Sequence, residues 1–143
     1  KSAAQASLLN NRDADIVTMT KTVFSPKAPT PIGPYSQAVI SSGIIYCSGQ
    51  LGVDPERRSV SMGIVEEERQ CLRNLQAILE SAGSSMSEVL KVTIYMTDLS
   101  SFKKMNEVYA TFFPRDPPAR TTVGVASLPM GAKIEIDLIA RIP

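Results

Sequence analysis

The chain has 143 residues and a mass of 15.5 kDa, the size of one domain. Lys and Arg number 15 against 14 Asp and Glu, so the net charge of +1 gives no general pull toward nucleic acid or anionic membrane. Histidine is absent, which excludes Ser-His-Asp and Cys-His nucleophile systems, His-ligated zinc and imidazole relays; any chemistry falls to Arg, Lys, Glu, Asp, Tyr, Ser, Thr, Cys or backbone groups.

Residues 1–20 read as an N-terminal extension, rich in Ser, Ala, Asn and Thr. They have the composition of the tail of a targeting segment or of a loosely ordered extension, with Asp13 and Asp15 against the former. Residues 21–143 read as a single domain. Lys21–Phe24 is a candidate first strand. Between Ser25 and Tyr35 stand Pro26, Pro29, Pro31 and Pro34, which exclude a helix or a central strand and predict an ordered loop. Gln37–Ser42 and Ile44–Ser48 predict a hairpin about Ser42-Gly43, its second strand ending at Gly49. Cys47 and Cys71 form no CxxC pair and read as small core residues. No apolar run has the roughly 18 residues of a membrane span.

Residues 52–62 read as a loop. Cys71, Leu72, Leu75, Ile78, Leu79 and Ala82 recur at steps of three and four, which predicts a helix over 64–82 with one apolar stripe. Glu66, Glu67 and Glu68 lie in its first turns, where the helix dipole favours acids, and Gly83 ends it. Val89–Met96 is nearly unbroken apolar sequence and predicts a central strand covered on both faces. A second helix starts after Asp98 or Ser100, with Phe102, Met105, Tyr109 and Phe112 as its buried stripe, and stops at Pro114. Arg120–Ala126 and Lys133–Arg141 read as two strands of a final hairpin. The order β-β-β-α-β-α-β-β predicts an α+β fold, one mixed six-stranded sheet with two helices on one face.

Two helices cover one face only, so the other needs a partner. In the final hairpin Ile134, Ile136 and Leu138 alternate with Glu135 and Asp137, and Thr121, Val123 and Val125 alternate with Arg120, Thr122 and Gly124. If Ala126 pairs near Lys133, then Arg120, Thr122, Glu135 and Asp137 share the face away from the helices. Covering such a face demands paired charges or a ligand, which points to an oligomer with polar chemistry at its interface.

Five segments carry a resemblance: Ile32-Gly33-Pro34-Tyr35-Ser36-Gln37-Ala38, Cys47-Ser48-Gly49-Gln50, Asn106-Glu107-Val108-Tyr109-Ala110-Thr111-Phe112-Phe113, Pro118-Ala119-Arg120-Thr121-Thr122-Val123, and Leu128-Pro129 with Lys133-Ile134-Glu135-Ile136. In this order and spacing they resemble the Rid/YjgF family, and within it the RidA group of reactive intermediate deaminases. The resemblance implies a chorismate-mutase-like fold, a homotrimer with sites between subunits, and no cofactor or metal. It also implies hydrolysis of 2-imino or enamine acids, formed by PLP-dependent threonine and serine dehydratases, to 2-keto acids and ammonia, which protects PLP enzymes from damage. The partners are then small 2-imino acids and the chain's own copies, with neither nucleic acid nor membrane.

Carried over by position, Arg120 is the substrate-carboxylate arginine, a role that a bidentate guanidinium suits. Glu135 is the glutamate that orients or activates water, and Tyr35 assists it. These three are the catalytic candidates. Ser48, Gly49, Asn106 and Thr122 are the substrate-binding candidates, Ser48 and Gly49 in the turn that lines the pocket and Asn106 on the second helix. Thr122 departs from the cysteine common at that position, which puts a thiol there in doubt but not the reaction. Each residue also has a plainer reading. Arg120 could bridge to Glu135 or Asp137, Glu135 could be a solvated strand residue, and Tyr35 or Asn106 could be packing residues. Two other functions compete: a non-catalytic small-molecule-binding trimer, and a ribonuclease or translation inhibitor. The carboxylate-binding Arg120 favours the enzyme over the former, and the charge balance disfavours the latter. The extension points to the mitochondrial matrix, with the cytoplasm as the alternative.

Overall fold

Two helices and six strands make up residues 20–143, the part of the chain described by this structure, a computed structural model. The extension expected over 1–20 lies, but for Thr20, outside them. The elements are β1 (Lys21–Val23), β2 (Ala38–Ser41), β3 (Ile44–Leu51), α1 (Ile64–Ser81), β4 (Val89–Met96), α2 (Phe102–Phe112), β5 (Ala119–Gly124) and β6 (Ile134–Arg141). They form the expected single mixed sheet, in the order β1-β2-β3-β6-β4-β5.

The apolar stripe of α1 does what its spacing demands. Cys71, Leu72, Leu75, Ile78 and Leu79 are fully buried against the sheet. The helix ends in a Schellman motif: Ser84 N–H donates to the Leu79 carbonyl and Gly83 N–H to that of Glu80, with Gly83 at φ 80°. In α2 the buried residues are Met105, Val108 and Tyr109. Phe102, expected in that stripe, is 41% exposed; its ring lies beside Arg120 instead. Both thiols are buried and free, as expected of core residues, and burial pushes Cys47 up to about 12.

Two strand assignments differ from expectation. First, β3 does not end at Gly49. It runs on to Leu51 through a register shift between Cys47 and Gln50, so Ser48-Gly49-Gln50 is a bulge in a strand rather than a turn. Second, β5 and β6 are not a hairpin. β4 lies between them, parallel to β5 and antiparallel to β6. The reason is connectivity: α2 carries the chain from β4 over to β5 as a parallel crossover, and β6 then returns to fill the gap between β3 and β4.

This pairing changes which residues share a face. Arg120 stands opposite Val92 and Thr122 opposite Ile94, while Leu138 and Ile136 occupy the same rows on β6. Those apolar partners are buried under the helices, so Arg120 and Thr122 point to the helix side. Glu135 and Asp137 stand in rows with Tyr95 and Thr93 on the other face. The expected sharing of one face by Arg120, Thr122, Glu135 and Asp137 is therefore wrong. The open face still carries both charge signs, from Lys91, Glu135 and Asp137, beside Thr93, Tyr95, Thr121 and Val123. β4 is interior to the sheet as expected, but only Val92, Ile94 and Met96 are fully covered; Lys91, Thr93 and Tyr95 are half-buried.

Candidate active site

The candidate residues fall into two clusters. One gathers on β3, β6 and the proline loop. Buried Gln37 fastens that loop: its Oε1 accepts from Ser25 N–H at 2.6 Å, and its Nε2 donates to the carbonyls of Ser25 at 3.1 Å and Pro29 at 3.0 Å. Ser48 adds a second fastening. Its hydroxyl donates to the Ser36 carbonyl at 2.6 Å, and its N–H to that of Gln37 at 2.9 Å. Prolines alone stiffen the loop; these bonds dock it on β3 and hold Tyr35, 47% exposed, at the wall of a cavity of about 380 Å³. Gly49, Gln50, Leu51, Pro31 and Met130 also line that cavity.

The bulge explains Gly49. It puts the glycine directly over the Glu135 carboxylate, and a Cβ there would collide with Glu135 Oε1. Glu135 is half-buried, and burial, then the charge of Asp137, raises its carboxyl above the usual carboxylate value. Tyr95 steadies this face by donating its hydroxyl to Asp137 Oδ2 at 3.0 Å. The cluster thus offers a partly desolvated carboxylate beside open backbone, the character of a water-orienting group.

The second cluster gathers between β5, α2 and α1. The Arg120 guanidinium lies 4.8 Å from the Tyr109 ring centre and 5.6 Å from that of Phe102, with Nη1 4.0 Å from Met105 Sδ. Cation–π contact holds it without neutralising it. Arg120 forms no ion pair among the described residues, so its plainer reading as a partner of Glu135 or Asp137 does not hold within the chain. Half-buried Asn106 stands one helical turn from both Phe102 and Tyr109, on the side of α2 that flanks the guanidinium. Thr122 lies two residues beyond Arg120 on the same face, its hydroxyl buried and without a hydrogen-bond partner.

Sequence reading missed Glu68 here. Its carboxyl is fully buried, and neither oxygen has a hydrogen-bond partner. Burial raises it to about 8 against the opposing pull of Arg120 and Arg69. The acidic run Glu66–Glu68 reads in sequence only as first-turn acids favoured by the helix dipole. That fits Glu66, which pairs with Arg69 at 2.7 Å on the surface. Glu67 is instead buried and accepts from Lys133 N–H at 2.8 Å. The signal for Glu68 was present: it lies three and four residues before Cys71 and Leu72, on the apolar stripe of α1.

The two clusters do not meet within one chain. Arg120 and Glu135 sit two strands apart and three rows apart along the sheet, about 14 Å in all, and their side chains leave opposite faces of the sheet. Among the described residues no group of His, Cys, Asp and Glu has the arrangement to hold a metal ion, and no helix is long and apolar enough to cross a membrane.

Comparison with known proteins bears on this arrangement. The family model described as Endoribonuclease L-PSP matches residues 25–142. A RutC family protein of Aquifex aeolicus is 46% identical over 121 residues, covering 82% of this chain and 96% of that protein. The 2-iminobutanoate/2-iminopropanoate deaminase of Mus musculus is 46% identical over 121 residues, covering 84% of this chain and 90% of that protein. The crystal structure of RidA from an Antarctic Psychrobacter superposes with a TM-score of 0.84 at 42% identity, covering 85% of this chain and 99% of that one.

Proposed function

The chain belongs to the Endoribonuclease L-PSP family, the Rid/YjgF family of the sequence resemblance, and from that premise we propose that it is a RidA-type deaminase of 2-imino acids that works as a homotrimer. The observation that carries this reading is the Arg120 guanidinium, held between two aromatic rings with no carboxylate partner in the chain. A planar carboxylate is the ligand it fits. The mouse relative, named 2-iminobutanoate/2-iminopropanoate deaminase, supplies the substrate class.

One small imino acid cannot touch Arg120 and Glu135 of the same chain. A complete site therefore joins Arg120, Thr122 and Asn106 of one copy to Tyr35, Gly49 and Glu135 of another. The half-covered sheet face, with both charge signs, is the surface such a copy would cover.

In the reaction, Arg120 fixes the substrate carboxylate and Asn106 offers a donor and an acceptor at the imine. Glu135 accepts a proton from the water that adds to C2 and passes it to the nitrogen, giving a carbinolamine. The added hydroxyl then gives up its remaining proton, the nitrogen takes up a proton, and the C2–N bond breaks as C2=O forms. The products are a 2-keto acid and ammonia. The substrate arrives as an electrophile, so orientation is most of the work required. No step uses a cofactor. Imines released by PLP-dependent dehydratases are the proposed source, and their removal the proposed benefit. Ser48 acts in this scheme by docking the loop that carries Tyr35.

The test is keto-acid release from threonine by a purified dehydratase. Addition of this protein should accelerate it, and Arg120→Ala should abolish the acceleration; full acceleration by that variant would overturn the assignment. The family description also names ribonuclease activity. RNA cleavage that survives rigorous purification and disappears in Glu135→Ala would favour that reading instead.

A further inference from the structure

We propose that Glu68 is a positioning residue for Arg120, an internal anion that competes with the substrate carboxylate for the same guanidinium. The inference rests on the functional reading above and adds to it a residue which that reading does not use.

Three observations support it. A fully buried carboxyl with both oxygens unpartnered is a costly arrangement, because even its neutral form leaves a donor and acceptors unsatisfied. Of the two cations that act on it, Arg120 and Arg69, only Arg120 lies outside its own helix. Arg120 lies 4.8 Å from the Tyr109 ring centre, the Tyr109 hydroxyl is buried and unpartnered like the Glu68 oxygens, and α1 packs against α2; the charges of Arg120 and Glu68 both bear on that hydroxyl. Finally, the guanidinium is held by ring faces and a thioether rather than by directional bonds. Such contacts tolerate a small swing of a long side chain, whereas a bidentate ion pair would not.

The groups facing Glu68 can be named. β5 contributes Arg120, α2 contributes Tyr109, and its own helix contributes Arg69 and Cys71. β4 and β6 turn only apolar side chains to this side, among them Ile94, Met96, Ile134 and Ile136. Arg120 is thus the sole cation outside α1 that acts on the carboxyl.

The consequence is a linkage. While Glu68 is protonated, Arg120 is available to a carboxylate ligand. When Glu68 is ionised it attracts the guanidinium, and a ligand that takes Arg120 removes the counter-charge and drives Glu68 to take up a proton from solvent. Below about pH 8, where the carboxyl is already protonated, ligand binding is insensitive to pH. Above it, affinity falls by about tenfold per pH unit as one proton is taken up per site.

The experiment uses the assembled protein and 2-oxobutanoate, the stable product, as the probe. Calorimetric titration between pH 6.5 and 9.5, in buffers of different ionisation enthalpy, reads affinity and proton uptake together. Expected are uptake approaching one proton per site above pH 8 and its loss in Glu68→Gln, whose affinity is flat with pH. The uptake is read on the unaltered protein, so misfolding of the variant does not shelter the proposal. Binding that requires Arg120 but takes up no proton, or retains the same pH dependence in Glu68→Gln, overturns this proposal and leaves the deaminase reading standing. Absence of any Arg120-dependent binding overturns both. Linked binding without imine hydrolysis in the dehydratase assay upholds the linkage and overturns the enzyme.

Discussion

The Glu135 cluster and the Arg120 cluster are built in opposite ways. Around Glu135 the flanking side chains have directed partners. Gln37 and Ser48 dock the proline loop, Tyr95 binds Asp137, and the bulge seats Gly49 on the carboxylate. Around Arg120 the contacts are ring faces and sulfur, and Glu68, Tyr109 and Thr122 all have polar atoms without partners. The first is a rigid frame for orienting water. The second is a cation with its neutralising partner left out, on an edge strand. Satisfied polar networks fix geometry, and unsatisfied ones leave chemistry to a ligand.

The strongest way to break this comparison is to disable each half in turn. Arg120→Ala and Glu135→Gln should each lower imine hydrolysis by roughly 10²–10³-fold. Chains carrying one or the other, unfolded and reassembled together, should regain activity at about a quarter of the sites, because a site then draws one intact half from each copy. No recovery in the mixture would show that both halves act within one chain. Gly49→Ala probes the frame alone: the methyl displaces the Glu135 carboxylate, and turnover should fall by about 10²-fold with substrate affinity, set at Arg120, much less affected. Steady-state kinetics separate the two.

Gln37→Ala leaves the Ser25 N–H and two carbonyls without their partner, and should cost about 2–3 kcal/mol in urea unfolding. The pH dependence of stability belongs to the other half. Glu68 stands near 4.5 when unfolded and about 8 when folded, so the folded state holds the extra proton between those values. Stability is then greatest below about pH 4.5 as far as this group is concerned, and declines as pH rises toward 8. The melting temperature of Glu68→Gln should lack that decline. Ser48→Ala is the mildest change, with an expected cost of about 1 kcal/mol and a modest rise in KM as the Tyr35 loop loosens.

Much of the fold was legible because it rests on local periodicity. The stripes of α1 and α2 follow from apolar residues spaced at three and four, and Gly83 and Pro114 mark their ends. The bulge at Ser48-Gly49 was not legible, since an extra residue in a strand leaves the alternation of its flanks intact. The hairpin of β5 and β6 was a wrong inference for a similar reason. Both segments alternate, and the connection between them is short enough for a turn, so nothing local reveals that β4 comes between. Phe102 shows the limit on a helix: its spacing puts it on the stripe, but the stripe overhangs the edge strand, where Arg120 takes it up.

By itself the sequence determined the class of fold, the identity of the residues and the chemistry open to a chain without histidine. Periodicity says which residues of one element share a side, and residue type says what bonds they can make. Tertiary structure decided which sides face one another. By placing β6 between β3 and β4 it sent Arg120 to the helix side and Glu135 to the open face. By packing α1 against α2 and the sheet it enclosed Glu68. Neither outcome is a property of any short segment, because strand order and helix cover are set by contacts among residues far apart in the chain.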